Sequence, residues 1–247
     1  MGHFTVSLVG NRIAVVSLGS SCQPAHQLKG HSQFISEIVD DELKHTRLPF
    51  DWVISPIART TEWLRSENLF PVSPGDLASL AGQNGAFLWE EQGVYFWHDF
   101  RSYDGNIDLE GTFEKTRTSY ELGFANLRDL RKLERIIVVV ANTQNNVPYV
   151  LGPSYPSDGF DFTVPLLKHF KDTVDGSFGR RTEMLCVTYA DRCSNELQSM
   201  PDLDIVVSRI SRDTSGWAGD PAEWKRILLE YFTIAIQRAP ISKWSRL

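Results

Sequence analysis

Cysteine is scarce in this chain. Cys22, Cys186 and Cys193 are the three among 247 residues. An odd, sparse set does not build a disulfide framework. None stands in Cys-x-x-Cys spacing, so no structural zinc site is expected. Thiols used this way suit a reducing compartment, and the chain is expected to be cytoplasmic. A basic excess is lacking as well. The net charge is -6 and the pI near 5.5, which argues against a broad surface for nucleic acid or anionic lipid. Long apolar runs are absent: none approaches the ~20 residues of a membrane helix. The stretch up to Leu18 is interrupted by Asn11 and Arg12, so no signal peptide is expected. The glycines form neither Gly-x-Gly-x-x-Gly nor a Walker loop with its lysine, so no nucleotide cofactor is expected. No His/Asp cluster has ligand spacing, so neither a metal nor any other cofactor is expected.

Short apolar runs are present, and there are four of them: 13–18 (IAVVSL), 135–141 (RIIVVVA), 183–190 (EMLCVTYA) and 204–210 (DIVVSRI). They are rich in Val and Ile and continuous rather than alternating. That pattern marks strands buried on both faces, as in a parallel sheet. Segments 119–134, 162–174 and 221–237 between and after them have apolar residues at helical spacing. Pro221 after Asp220 reads as a helix start with Asp220 as N-cap. Helices alternating with buried strands predict an α/β fold joined by right-handed crossovers. The expectation is one α/β domain over 1–247, a three-layer sandwich with a mainly parallel central sheet. Residues 45–118, rich in Pro and Trp, break the rhythm. They read as an aromatic-rich insertion of short helices plus a hairpin that pairs FLWEE with VYFWHDF around Gly93. It would lie over the end of the sheet where such folds place their sites.

Cys22 stands on the corner after the first long strand, in Gly19-Ser20-Ser21-Cys22, with Pro24 suited to a first helical turn. A cysteine there is either a packed apolar residue or a nucleophile. As a nucleophile it would draw on the helix start, where N–H groups and the dipole lower a thiol pKa. The same N–H groups beside Gly19, Ser20 and Ser21 could hold an oxyanion. A thiolate works with a histidine. His98 lies at the end of an aromatic strand directly before Asp99, in a setting that tunes an imidazole or simply buries it. Neighbours on a strand point to opposite faces, so Asp99 need not be its partner. Asp51, in RLPFDW, pairs with Arg47, caps a helix or orients His98; unpartnered, it would be costly there. His26, one turn beyond Cys22, points back or outward. Asn142, Gln144, Asn145 and Asn146 follow the second long strand, and Arg212, Asp213, Trp217 and Asp220 follow the last. Both groups would project from the carboxyl edge of the sheet, as substrate-binding residues or as plain turn formers.

The set SLGSSCQPAHQL, RLPFDW, WHDF, an Asn-rich loop and WAGDPAEW, over roughly 13–232, resembles a bacterial family of uncharacterised papain-like cysteine peptidases. The resemblance implies Cys22 as nucleophile, His98 as base and Asp99 or Asp51 as orienting carboxylate. It also implies a papain-like α+β fold, the alternative to the three-layer reading. The strand–helix periodicity is more similar to the SGNH-type hydrolases, with Gly19 to Cys22 in place of their Gly-Asp-Ser corner and Asn142 or Asn145 after a later strand. Asp213, however, has no histidine three residues on.

The expected function is therefore a cysteine-dependent hydrolase of the peptidase or amidase type, acting through an acyl-enzyme. Gly19, Ser20, Ser21, Asn142, Asn145 and Trp217 would bind its peptide, amide or glycan-linked substrate. The alternatives are a glycan- or peptide-binding module without catalysis, with Trp52, Trp89, Trp97 and Trp217 as stacking surfaces, and an SGNH-like esterase or acyltransferase acting on a glycan.

Overall fold

The computed structural model describes residues 7–80, 85–144, 157–211 and 216–238. Its centre is β8 (Arg135–Ala141), whose six residues after Arg135 are all buried. β8 pairs in parallel with β2 (Ile13–Ser17) on one side and β9 (Glu183–Tyr189) on the other, and β9 pairs in parallel with β10 (Ile205–Ile210). β1 (Ser7–Val9) runs antiparallel to β2 and to β3 (Lys44–Thr46). The six-stranded order is β10-β9-β8-β2-β1-β3, a mostly parallel α/β sheet. The four short apolar runs of the sequence are its four adjacent parallel strands. β10 is less completely buried than the others because it has a neighbour on one side only.

Alternating side chains of these strands feed two apolar clusters, as a period of two requires. Ala14, Val16, Val138, Val140 and Met184 pack with Trp63 of α3 (Ile57–Arg65), Phe124 of α4 (Leu109–Asp129) and Phe170 of α5 (Val164–Phe178). Val15, Ile137, Val139 and Leu185 pack with Leu28 of α1 (Gln23–Gly30), Ile35 of α2 (Ser32–Val39) and Trp224 of α6 (Pro221–Arg238). The helix starts follow the local chemistry: Thr163 caps α5, with Pro165 in its first turn, and Asp220 Oδ1 accepts the Ala222 N–H at 2.8 Å. Gly179, at φ 64, ends α5 in the left-handed conformation that favours glycine. α4 starts ten residues before the helix expected from 119–134. Asp108 caps it by accepting from Gly111 N, and the chain tightens into a 3-10 turn at Leu130–Lys132.

The region between β3 and α4 forms a second sheet. β4 (Val53–Ile54), β7 (Val94–Phe96), β6 (Phe87–Trp89) and β5 (Leu77–Ser79) are antiparallel in that order. The β6–β7 hairpin pairs Phe87 with Phe96 and Trp89 with Val94, and Gly93 takes φ 61 in its turn. The aromatic content of this stretch goes largely into packing: Phe50, Trp63, Trp89, Phe96, Phe100 and Phe113 are buried. Trp89 was expected to offer a stacking surface and has no exposed face to do so.

Phe170 is fully buried between α5 and the sheet. Phe170→Ala is expected to lower unfolding free energy by about 3–5 kcal/mol in chemical denaturation. A loss below about 1 kcal/mol would contradict this packing.

Candidate functional site

The chain leaves β2 through α1 and α2 towards β3, on one side of the sheet, and leaves β8 towards β9 on the other. Adjacent parallel strands whose connections diverge open a crevice at their carboxyl ends. Two segments flank it here: Gly19 to Cys22 after β2, and Asn142 to Gln144 after β8.

The first segment is held tightly. Gly19 and Ser20 both have positive φ, 78 and 63. A Cβ on Gly19 would collide with the Thr60 side chain, so glycine suits the corner in both conformation and space. Ser20 lacks that freedom and sits in a left-handed conformation that costs a non-glycine residue energy. A two-way backbone bridge to Ser55 keeps it there, with Ser20 N to Ser55 O at 3.0 Å and Ser55 N to Ser20 O at 3.3 Å. This bridge ties the second sheet to the corner. It also engages one N–H that was expected to serve an oxyanion. Ser20 is buried, and its hydroxyl has no partner among the described residues.

Cys22 precedes the first residue of α1, as expected, but its environment differs from the expected one. It is buried, and its Sγ donates to Gln144 Oε1 at 3.5 Å. Burial pushes the thiol up to about 12, against a smaller lowering by its hydrogen bonds. The expected helix-start depression is thus overturned: removing the thiol from water disfavours the anion more than one helix terminus favours it. Cys22 is a neutral donor at physiological pH.

Gln23 and Gln27 of α1, which sequence reasoning passed over, fasten the corner. Gln23 Nε2 donates to Trp217 O at 2.8 Å, and its Oε1 accepts from the Thr143 hydroxyl. Gln27 Nε2 donates to Ala218 O at 2.6 Å. The signal was two glutamines four apart on one helix face directly after the corner. Arg192 does the same for the other segment, donating to Asn142 O at 2.7 Å and Gln144 O at 3.0 Å. Asn142 is buried, and its amide donates to Phe160 O and Arg192 O at 2.9 and 2.7 Å. Its Oδ1 has no partner among the described residues. Asn145, Asn146, Arg212 and Asp213 lie outside the described residues.

The expected base and carboxylates lie elsewhere. His98 packs edge-on against Trp52, ring centroids 5.2 Å apart. Trp52 is three residues, about 10 Å of extended chain, from the Ser55 that meets the corner. No hydrogen bond or ring contact among the described residues joins His98 to Cys22. The surrounding protein, and then the Arg101 charge, push the His98 pKa down. Asp99 accepts from the Tyr120 hydroxyl at 3.0 Å and faces Arg47 at 3.5 Å. Asp51 accepts from the Ser7 hydroxyl at 2.7 Å and from Leu48 N at 2.8 Å. Of the expected catalytic set, then, only Cys22 stands at the crevice, and the two carboxylates brace the turns around 47–51. The imidazole nearest to Cys22 in the chain is His26, four residues on and therefore on the same helix face. Half-buried, it packs against the Trp217 ring with centroids 4.8 Å apart. Burial and Lys29 lower its pKa, which favours the neutral ring.

Among the described residues, no group of three or more His, Cys, Asp or Glu could hold a metal ion, and no helix is long and apolar enough to cross a membrane.

Asp51 is fully buried, and burial raises its carboxyl from 3.8 to about 7. Between those values the folded state holds a proton that the unfolded state has released. Asp51 therefore lowers stability progressively as pH rises from about 4 to about 7 and adds no further slope above that. Asp51→Asn is expected to remove this decline, seen as a shallower slope than the parent's in denaturation midpoints across that range. Parallel slopes would refute the assignment.

No family model matches this chain, and neither a curated protein nor a solved structure matches it.

Proposed function

We propose that this chain binds a neutral, hydroxyl-rich ligand of the glycan class in the crevice at the carboxyl ends of β2 and β8, on a three-layer α/β sandwich. The observation that carries this reading is a pair of buried oxygens without partners among the described residues, Ser20 Oγ and Asn142 Oδ1, one after each strand. Buried polar atoms left unpaired cost free energy, and a ligand's hydroxyl groups would satisfy both. The half-buried Trp217 ring, packed against His26 of α1, adds an apolar face on the α1 side. A few placed polar groups with one aromatic surface are what a small polar ligand needs. The strained Ser20 fits the same reading, because such conformations persist where function requires a particular geometry. The two apolar clusters on opposite sides of the sheet support the three-layer description over a papain-like arrangement. Three free cysteines accord with a cytoplasmic protein.

Cysteine-dependent hydrolysis of a peptide or amide is the second reading. It is favoured by the position of Cys22 at the start of α1 with the neutral His26 one turn away. For that chemistry Cys22 must leave Gln144, meet substrate and lose its proton, with His26 rather than His98 as the acceptor.

Two measurements separate these readings. Native protein is treated with iodoacetamide between pH 6 and 9 and the cysteines are mapped. Cys22 and Cys186 are expected to stay unmodified while the partly exposed Cys193 reacts. Fast modification of Cys22 at pH 7 that His26→Ala slows would replace binding with thiol catalysis.

A panel of neutral oligosaccharides is then titrated against the parent and Trp217→Ala. That substitution keeps the Trp217 carbonyl that accepts from Gln23 and removes only the ring. At least one oligosaccharide is expected to bind the parent and to lose about tenfold in the variant, roughly the 1.4 kcal/mol within reach of one aromatic contact. Binding to none of the panel, or equal binding to both proteins, would overturn the glycan reading.

A further inference from the structure

A second cavity lies far from the crevice. It has a volume of about 440 Å³, opens to solvent and is lined by α3, α4 and the end of α5. α5 starts by the carboxyl edge of the sheet and ends at Phe178, shortly before β9 begins, so its last turns lie at the amino edge. The fifteen residues of α5 separate the two sites by about 22 Å of helix.

The cavity floor is apolar, formed by Leu64, Leu69, Phe124, Leu127 and Phe178. Arg65, Arg128 and Arg131 line it too. Three guanidinium groups around one hollow are notable in a chain of net charge -6. Several surface arginines elsewhere pair with acids, as Arg59 does with Glu62 and Arg226 with Glu223 and Glu230. Among the described residues, none of these three has a carboxylate within ion-pair distance. Arg65 meets His169 Nε2 at 3.2 Å, and Arg131 donates through Nε to Ser177 O at 2.7 Å. That second bond fixes the Arg131 guanidinium while leaving its two terminal nitrogens available. Asp172 also lines the cavity and pairs with none of the three, so it offsets only part of their field.

We propose that this cavity binds an organic anion with an apolar body, a carboxylate or phosphate monoester on an aliphatic chain. The anionic head would take the arginine rim, where planar guanidinium groups match both oxyanions in a two-point fashion. The body would cover the Leu and Phe floor. The volume falls in the range of ordinary small-molecule sites. The proposal is independent of the crevice at β2 and β8.

The test is calorimetric titration of the full chain with octanoate, octyl phosphate, octanol and inorganic phosphate. Saturable one-to-one binding of octanoate or octyl phosphate is expected, and whichever binds more tightly identifies the head group. Octanol and inorganic phosphate, each lacking one half of the ligand, are expected to bind at least tenfold more weakly. Arg128→Ala with Arg131→Ala should weaken the anion at least tenfold, and Asp172→Asn should tighten it. All three side chains are exposed, so the fold is retained, checked by unchanged circular dichroism. The proposal is overturned if neither anion saturates, if octanol or inorganic phosphate binds as tightly as the better anion, or if the arginine variant binds as the parent does.

Discussion

Burial of β8 on both faces is the constraint on which the rest of this molecule depends. A strand with no solvent-facing side needs helices against each face and a hydrogen-bonded neighbour on each edge. β2 and β9 supply the edges in parallel register, and parallel pairing forces long crossover connections. The crossover from β2 to β8 takes in α1, α2, β3, the second sheet, α3 and α4, and the crossover from β8 to β9 takes in α5. The chain leaves β2 into α1 on one side of the sheet and leaves β8 towards α5 on the other, and that divergence marks the crevice between β2 and β8. The position of the candidate site thus follows from how an apolar strand is covered.

The corner after β2 illustrates how local cost and tertiary support balance. Ser20 accepts a left-handed backbone because Ser55 holds it on two hydrogen bonds. Glycine suits position 19, because Thr60 fills the space a side chain would need. The second sheet therefore acts as a brace on the corner. Its own aromatic packing, with Phe50, Trp63 and Trp89 in edge contacts, makes that brace stiff. On the far side Gln23 and Gln27 tie α1 to the 217–218 turn. A corner fixed from both sides keeps the Ser20 hydroxyl without a partner among the described residues, since it cannot relax towards a neighbour.

The carboxylates show a contrasting economy. Asp51 and Asp99 are both drawn into the protein, yet each accepts two contacts, from Ser7 and Leu48, and from Tyr120 and Arg47. They fasten the RLPFDW turn to β1 and to α4. A buried acid beside aromatic residues resembles catalytic machinery in a one-dimensional reading. Here the contacts recorded among the described residues are to Ser7, Leu48, Tyr120 and Arg47, which hold turns and elements together.

The four parallel strands were legible in the sequence, because continuous Val/Ile runs separated by helix-length segments admit few other arrangements, whereas the short strands β1, β3, β4 and β5 carry no such run and were not. So were the α6 start at Asp220 and Pro221, the hairpin around Gly93 and the position of Cys22 at a helix start, all of which rest on chemistry within a few residues. The early start of α4 was missed, since Phe113 and Tyr120 reveal their buried face only against the second sheet. Tertiary structure alone decided the state of Cys22. A thiol at a helix terminus is stabilised as an anion in water, but the fold excludes water from it and sets Gln144 beside it, and desolvation exceeds the dipole. It also decided that His98 stands by Trp52 and that Gln23, Thr143 and Arg192 shape the crevice. Those contacts join residues scores of positions apart, and spacing along the chain carries no trace of which distant partner a side chain will meet.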